Sequence, residues 1–311
     1  MYDPTKPYKK KIIEEIQKTW KTPYISVKNS LVNKKFDYPE YHHSDGIGTK
    51  GIYHWQKKSF KNAVIDAMAM NLNDLAIVRA IPYAIIDHMI LPRDDQRAIL
   101  QIISELAAIC RKQKIAITGG ETAIHDDASG LEISISMLGF VKKPVANKFR
   151  RGDILIGIAS NGLHSNGFSK IRKVFKNEFR PDFIKPTFIY LLQILKLAEK
   201  FDIGGIMHIT GGAYTKLKDL LDENLDVKIY RLHKLRPQKI FFELSRRGVL
   251  DEEMYKTFNC GIGFILSVRK NQVQKCLSAI KSLPADIIGE VMSGSGKIII
   301  ESKFSDAIVE Y

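Results

Sequence analysis

The stretch DILIGIASNGLHSNGFSKIRKVF (153–175) decides the fold class. Asp153 to Ala159 is a short apolar run that reads as a buried strand. Ser160 to Ser169 is a polar, Gly-rich loop, and Ile171 to Phe175 opens a helix. Strand, polar loop and helix together make an α/β unit, and the same order recurs on both sides. Towards the N-terminus, Lys9 to Trp20 predicts a short helix, Ala63 to Val78 a buried helix, and Ile81 to Leu91 a strand ending at Pro92. Asp94 to Lys112 predicts an amphipathic helix, with Leu100, Ile103, Leu106, Ala107 and Cys110 at helical spacing. Ile115 to Thr118 reads as a strand that stops at Gly119-Gly120, and Leu131 to Val141 as another. Towards the C-terminus, helices are expected over Leu191–Phe201, Lys216–Leu221 and Asn271–Leu283, with a strand over Gly261–Val268. Asp286–Val291 and Lys297–Glu301 read as a hairpin around the turn at 293–296. The polar segment Lys142 to Arg151 divides the chain into expected domains 1–150 and 151–311.

A chain of 311 residues with 45% hydrophobic and 26% charged residues can bury a sizeable core, which excludes wholesale disorder and a fibrous architecture. No run approaches the roughly 18 apolar residues of a spanning helix, so no membrane partner is expected. Met1 to Lys21 is too charged for a secretory leader. Cys110, Cys260 and Cys276 form no CxxC pair, which argues against structural zinc and disulfides and for a reducing, cytoplasmic compartment. The formal charge of +14 attracts anions generally. The basic residues are scattered and no nucleic-acid-binding signature accompanies them, so a phosphorylated small molecule is the expected partner rather than nucleic acid.

Two sets of residues can carry chemistry. The first is acidic and amide: Asp45, Asp66, Asn73, Asp74 and Glu121, near Gly-rich turns. Hard cations take oxygen ligands. Asp66 and Asn73 lie within about 20° of each other on a helix, inside the apolar run VIDAMAMNLNDLAIV (64–78), where an unpaired carboxylate is costly. The second set is the glycine loops at 46–51, 119–120, 162–167 and 211–212, whose backbone N–H groups can approach phosphate oxygens. Lys50, Thr49, Ser165 and Thr210 would extend such a cradle. His164 and His208 sit in these loops and can act as acid or base near neutral pH. Familiar nucleotide motifs do not match: a Walker A loop ending at Lys297 fails at Val291 and Ile298, no GxGxxG follows a predicted strand, and no GxSxG occurs.

Read in order, DGIGTK (45–50), IDAMAMNLNDLA (65–76), TGGETA (118–123), ASNGLHSNGFSKIRKVF (159–175), KPTFIY (185–190), HITGG (208–212), MYKTFNCGIGF (254–264) and IIGEVMSGSG (287–296) resemble the phosphoribosylformylglycinamidine cyclo-ligase family, also called aminoimidazole ribonucleotide synthetases. The resemblance implies an α/β (α+β) two-domain fold whose N-terminal domains build a β-barrel across a homodimer. It implies ATP and Mg as cofactors and an ATP-dependent ring closure in purine biosynthesis: the formyl-amide oxygen of formylglycinamidine ribonucleotide is phosphorylated, and the amidine nitrogen then displaces phosphate. Carried over motif by motif, Asp45, Asp74 and Glu121 are the expected metal ligands, with Asp66 and Asn73 in support. Gly46, Thr49 and Lys50 become phosphate contacts, and Ser165, Asn166, His208, Thr210, Gly211 and Gly212 substrate or phosphate contacts. Lys50, His164 and His208 are the expected catalytic side chains. Asp87 keeps an acidic position that the family shows after its second motif. Pro23 to Phe36 lacks the glycines of the family's corresponding segment, and Ile124-His125-Asp126 replaces its Met-Pro turn; both departures bear on the substrate. The alternatives are a related kinase, similar to thiamine-monophosphate kinase or selenophosphate synthetase, and a binding protein on this scaffold.

Overall fold

The computed structural model describes residues 8–28, 31–281 and 283–311. These form two compact units, one of residues up to Leu75 together with Ala80–Pro144, the other of Ala76–Arg79 with Val145–Tyr311.

The first unit runs α1 (Lys9–Gln17), β1 (Ile25–Lys28), β2 (Leu31–Lys34), β3 (Glu40–Gly46), α2 (Gly51–Lys57), α3 (Phe60–Ile77), β4 (Ile81–Leu91), α4 (Gln96–Gln113), β5 (Ala116–Ile124) and β6 (Glu132–Phe140). Its four-stranded sheet has the order β3-β6-β4-β5, with β4 and β5 parallel and the other pairs antiparallel. Alternation along β4 sorts the faces: Ile85, Asp87 and Met89 are buried, whereas Ile86 and His88 are exposed. α3 contains neither glycine nor proline and is rich in Ala, Met and Leu, which favours helix. Its apolar residues Ala63, Val64, Ala67, Met68, Met70, Leu72 and Leu75 are all buried, so it is an interior helix rather than an amphipathic one. α4 is the amphipathic counterpart; the Asp95 carboxylate caps it by accepting from the N–H of Ala98 at 3.0 Å.

β5 departs from expectation. It does not stop at Gly119 but runs on to Ile124, because β4 offers a parallel partner along its whole length and the register slips once, between Ile85 and Ile86. TGGETA therefore lies on a strand, not in a loop. The segment Pro23–Phe36 contributes the antiparallel pair β1 and β2, with Ile25 in an aromatic core with Tyr83 and Phe140.

The second unit runs β7 (Asp153–Ala159), α5 (Phe168–Phe175), α6 (Leu191–Lys200), β8 (Ile203–His208), β9 (Leu225–Ile229), α7 (Lys239–Arg246), α8 (Asp251–Thr257), β10 (Ile262–Arg269), α9 (Val273–Ala279), β11 (Ala285–Ser293), β12 (Ile298–Glu301) and β13 (Ile308–Glu310). The segment Ala213–Leu220 is a 3₁₀ helix. The seven strands order as β13-β12-β9-β11-β7-β10-β8. The expected hairpin of β11 with β12 does not form. β9 lies between them, antiparallel to β11 and parallel to β12. The Asp226 carboxylate, at the start of β9, accepts from the N–H groups of Ser295 and Lys297 at 2.8 and 2.7 Å and so draws the 293–297 turn around β9. A Cβ on Gly294 would come within 1.9 Å of the Asp226 carboxyl carbon, so only glycine permits that approach.

Candidate active site

Along β3 the pleat points His43 and Asp45 to one face, and α3 brings Asp74 against them. Nε2 of His43 lies 3.1 Å from Oδ2 of Asp74, and one ligand atom from each of His43, Asp45 and Asp74 lies within 4.8 Å of the others. All three are partly exposed. Asn71, one turn before Asp74, fixes the strand to the helix: its amide N donates to the Asp45 carbonyl at 3.1 Å and to that of Ala67 at 3.0 Å. Sequence reasoning chose Asn73 instead; Asn73 is fully buried on the same helix. The carboxylate oxygens and the imidazole nitrogen are a donor set that a divalent cation accepts, so the residues present fit a metal ion.

Glu121 does not join this group. The pairing places it opposite His88, which faces the opposite side of the sheet from Asp45 and Asp87. Asp87 shares Asp45's face, with Ile135 between them in register, and is 1% exposed. His43 occupies the third place. The i, i+2 spacing of His43 and Asp45 was the signal that would have found it.

Past β3 the chain makes a 3₁₀ turn, Gly48–Lys50, and enters α2. A Cβ on Gly51 would sit 1.7 Å from the Leu131 carbonyl oxygen, so this glycine seats the turn on the start of β6. Gly48 and Thr49 are exposed and line a cleft of about 370 Å³ with His125, Asp127 and Ser129. Lys50 points the other way. Its Nζ is 2.7 Å from Oδ2 of Asp66, and both side chains have no exposed surface. Nε2 of His54 meets the same carboxylate oxygen at 2.8 Å, and its Nδ1 meets Ser59 Oγ at 2.8 Å. Burial pushes the Asp66 carboxyl up, but Lys50 and His54 outweigh it and hold the group at about 2. Burial also pushes Lys50 and His54 down, against the pull of Asp66. Asp66 therefore serves Lys50 and His54, and Lys50 is an interior anchor rather than an open phosphate contact.

In the second unit the loop between β7 and α5 is latched by Asn259. Its Nδ2 donates to the Gly162 carbonyl at 2.8 Å, while its Oδ1 accepts from Ser160 Oγ at 2.7 Å and from the Gly261 N–H at 2.9 Å. Asn259 lies in the KTFNCGIG motif, and its role was not read from the sequence. Ser165 Oγ lies 3.3 Å from Thr187 Oγ1, and Asn166 donates to the Thr257 carbonyl at 2.5 Å. Asn166 and Gly212 line a cleft of about 590 Å³ with Thr215, Glu252, Glu253 and Lys256. Gly211 lies beside Asn166, and Thr210 is buried. His164 and His208, expected as catalytic, are 1% and 0% exposed, with rings 6.1 Å apart. His208 stacks on Phe264 at 5.0 Å, and Tyr190 lies beside both histidines while donating to the Ala159 carbonyl at 2.8 Å. That enclosure is an aromatic core, and neither imidazole reaches solvent.

The geometry can be set beside known proteins. The AIR synthase related protein N-terminal domain matches residues 40–141, and the C-terminal domain of the same name matches 150–301. The chain belongs to the AIR synthase related family. It is 34% identical over 82% of its length to the phosphoribosylformylglycinamidine cyclo-ligase of Saccharolobus solfataricus, covering 79% of that protein. It is 36% identical to the enzyme of the same name from Clostridium perfringens, covering 83% of each chain. Among solved structures, hydrogenase maturation protein HypE in complex with ATP superposes with a TM-score of 0.73 at 16% identity, over 99% of this chain and 95% of that one. Thiamine-monophosphate kinase from Stenotrophomonas maltophilia superposes at 0.67 and 15%, over 97% and 98%. These structural likenesses carry the two-domain family fold. Cys110, Cys260 and Cys276 are free and buried, and burial pushes each thiol up. Among the described residues no helix is long and apolar enough to cross a membrane.

Proposed function

We propose that this chain is a cytoplasmic phosphoribosylformylglycinamidine cyclo-ligase, closing the imidazole ring of aminoimidazole ribonucleotide with ATP. The observation that carries the reading is the match of both family domains along with cyclo-ligase relatives at about 34% identity over four fifths of the chain. In this reading domain 1–150 binds Mg-ATP and domain 151–311 the substrate phosphate.

The reaction needs charge neutralisation and alignment more than a nucleophilic side chain. Asp45 and Asp74, with His43 beside them, would hold magnesium; when bound it neutralises triphosphate charge and polarises the transferred phosphoryl group. Gly48 and Thr49 line the open cleft, where the Thr49 hydroxyl and backbone N–H groups would orient phosphate oxygens. Lys50 acts one step back: its buried pair with Asp66 fixes the turn that presents them. Asn166, Gly211 and Gly212 border the second cleft and hold the substrate phosphate, with Ser165 and Thr210 shaping the loops behind them. Because His164 and His208 are enclosed, they position these loops rather than exchange protons with substrate. The amide oxygen of the substrate attacks the γ-phosphoryl group, ADP leaves, and the amidine nitrogen then attacks the activated carbon, expelling phosphate.

The exposed face of the first sheet, with Ile86 47% exposed between the edge strands β3 and β5, supports a homodimer whose sheets close into a barrel. Incubation with formylglycinamidine ribonucleotide and Mg-ATP should yield aminoimidazole ribonucleotide, ADP and phosphate in equal amounts. Phosphate retained on an organic acceptor, or no consumption of the nucleotide, would overturn the reading.

A further inference from the structure

The donor set on β3 and α3 is not the all-oxygen set that suits Mg²⁺. Mg²⁺ favours near-octahedral oxygen ligation at about 2.0–2.1 Å and keeps several waters, whereas imidazole nitrogen favours borderline transition ions. With bonds of about 2.1 Å, adjacent ligands on one octahedral ion lie about 3.0 Å apart and opposite ligands about 4.2 Å. The His43 Nε2 to Asp74 Oδ2 separation is 3.1 Å, the spacing of adjacent ligands on one ion, and Asp45 brings a carboxylate oxygen within 4.8 Å of a ligand atom of each. A second feature sits on the same helix. Asn71, whose amide N is bound to the Asp45 carbonyl, carries a buried Oδ1 with no hydrogen-bond partner. Such an acceptor is costly to leave unmet, and it lies on the residue that joins α3 to the Asp45 backbone.

We propose that His43 is a metal ligand, so that this site binds its divalent cation through one imidazole nitrogen and two carboxylates and prefers a transition ion to Mg²⁺. The proposal deepens the nucleotide-metal reading above and rests on it for the site's use, though not for the chemistry of binding. The strand supplies the ligand because His43 and Asp45 share a face two residues apart, and α3 supplies Asp74 opposite. A hydrogen bond between His43 and Asp74 with no ion between them is the competing account of the same distance.

The test titrates the full chain with Mn²⁺, followed by electron paramagnetic resonance, and displaces it with Mg²⁺. Mn²⁺ is the weakest binder among the first-row divalent ions and so the strictest probe. Displacement should need at least about tenfold more Mg²⁺ than Mn²⁺, and pulsed spectra should show coupling to a ligand nitrogen. In His43→Ser the nitrogen coupling should vanish and Mn²⁺ affinity fall about tenfold or more, while Mg²⁺ affinity changes by less than about threefold. His43→Asn provides the same comparison should the serine variant fail to fold. Nitrogen coupling that survives both substitutions, or an equal loss for the two ions, would overturn the proposal. Because the readout is spectroscopic, loss of cyclisation with intact coupling would count against the proposed reaction and leave the ligand set standing.

Discussion

Two carboxylates on α3, about two helical turns apart, have opposite fates. Asp66 is wholly enclosed, and its Oδ2 is shared by Lys50 and His54 at 2.7 and 2.8 Å. Asp74 keeps 16% of its side chain exposed and faces His43 and Asp45. The helix is the same and the residue type is the same; the difference lies in what the neighbouring elements present. The turn before α2 supplies an interior cation to Asp66, which converts a charge into an anchor. β3 supplies a second carboxylate and an imidazole to Asp74, which leaves charge in excess at an open surface. A buried pair resists removal of one member, whereas an open cluster tolerates it structurally and loses function.

The largest expected effect follows from the closed pair. Asp66→Ala leaves the Lys50 ammonium buried without its counter-ion and should lower stability by about 3–5 kcal/mol in urea unfolding. Asp66→Leu combined with Lys50→Met should recover much of that loss, since an apolar replacement of both partners removes the stranded charge. An Asp66→Ala variant as stable as the parent would erase the contrast between the two carboxylates.

Asp74→Ala should do the reverse. Turnover of formylglycinamidine ribonucleotide should fall by about a hundredfold or more, comparable to removal of one strong electrostatic contact in an active site. The urea midpoint should stay within the scatter of the parent. Unchanged turnover would remove Asp74 from the site.

A smaller effect comes from the second unit. His233 is buried, and burial with the nearby Lys303 charge pushes its imidazole down from 6.5 to about 4. The unfolded chain therefore binds a proton in this range that the folded chain refuses. The associated stability is complete above about pH 6.5 and is lost as pH falls towards 4. Across that window His233→Gln should flatten the pH dependence by about 1–3 kcal/mol, measured as urea midpoints at successive pH values. A variant with the parent's slope would remove His233 as the source of the dependence.

Local pattern revealed the elements that depend on nearby residues. α3, α4 and β7 follow from propensity and apolar spacing, and the interior position of Asp66 follows from its apolar flanks. Strand partners do not: whether β12 pairs with β11 or β9 depends on Asp226, some seventy residues upstream, reaching into the 293–297 turn. The same limit governed β5, where a pair of glycines reads as a break until β4 is known to run alongside. At the site, residue types were legible but directions were not. Lys50 follows directly after Gly48 and Thr49, yet it turns inward while they face the cleft. His164 sits in a glycine loop and His208 ends β8 just before one, the usual place for chemistry, but their rings belong to an aromatic interior set by Tyr190 and Phe264.

The enclosure of Lys50 has a further consequence. It is the one lysine among the described residues classed as buried, on a surface crowded with accessible amines. Acetylating enzymes and amine-reactive labels would modify its neighbours and pass it by for as long as the first unit stays shut. The rate at which Lys50 acquires a label, followed by mass spectrometry, would therefore act as a clock for the opening of that unit.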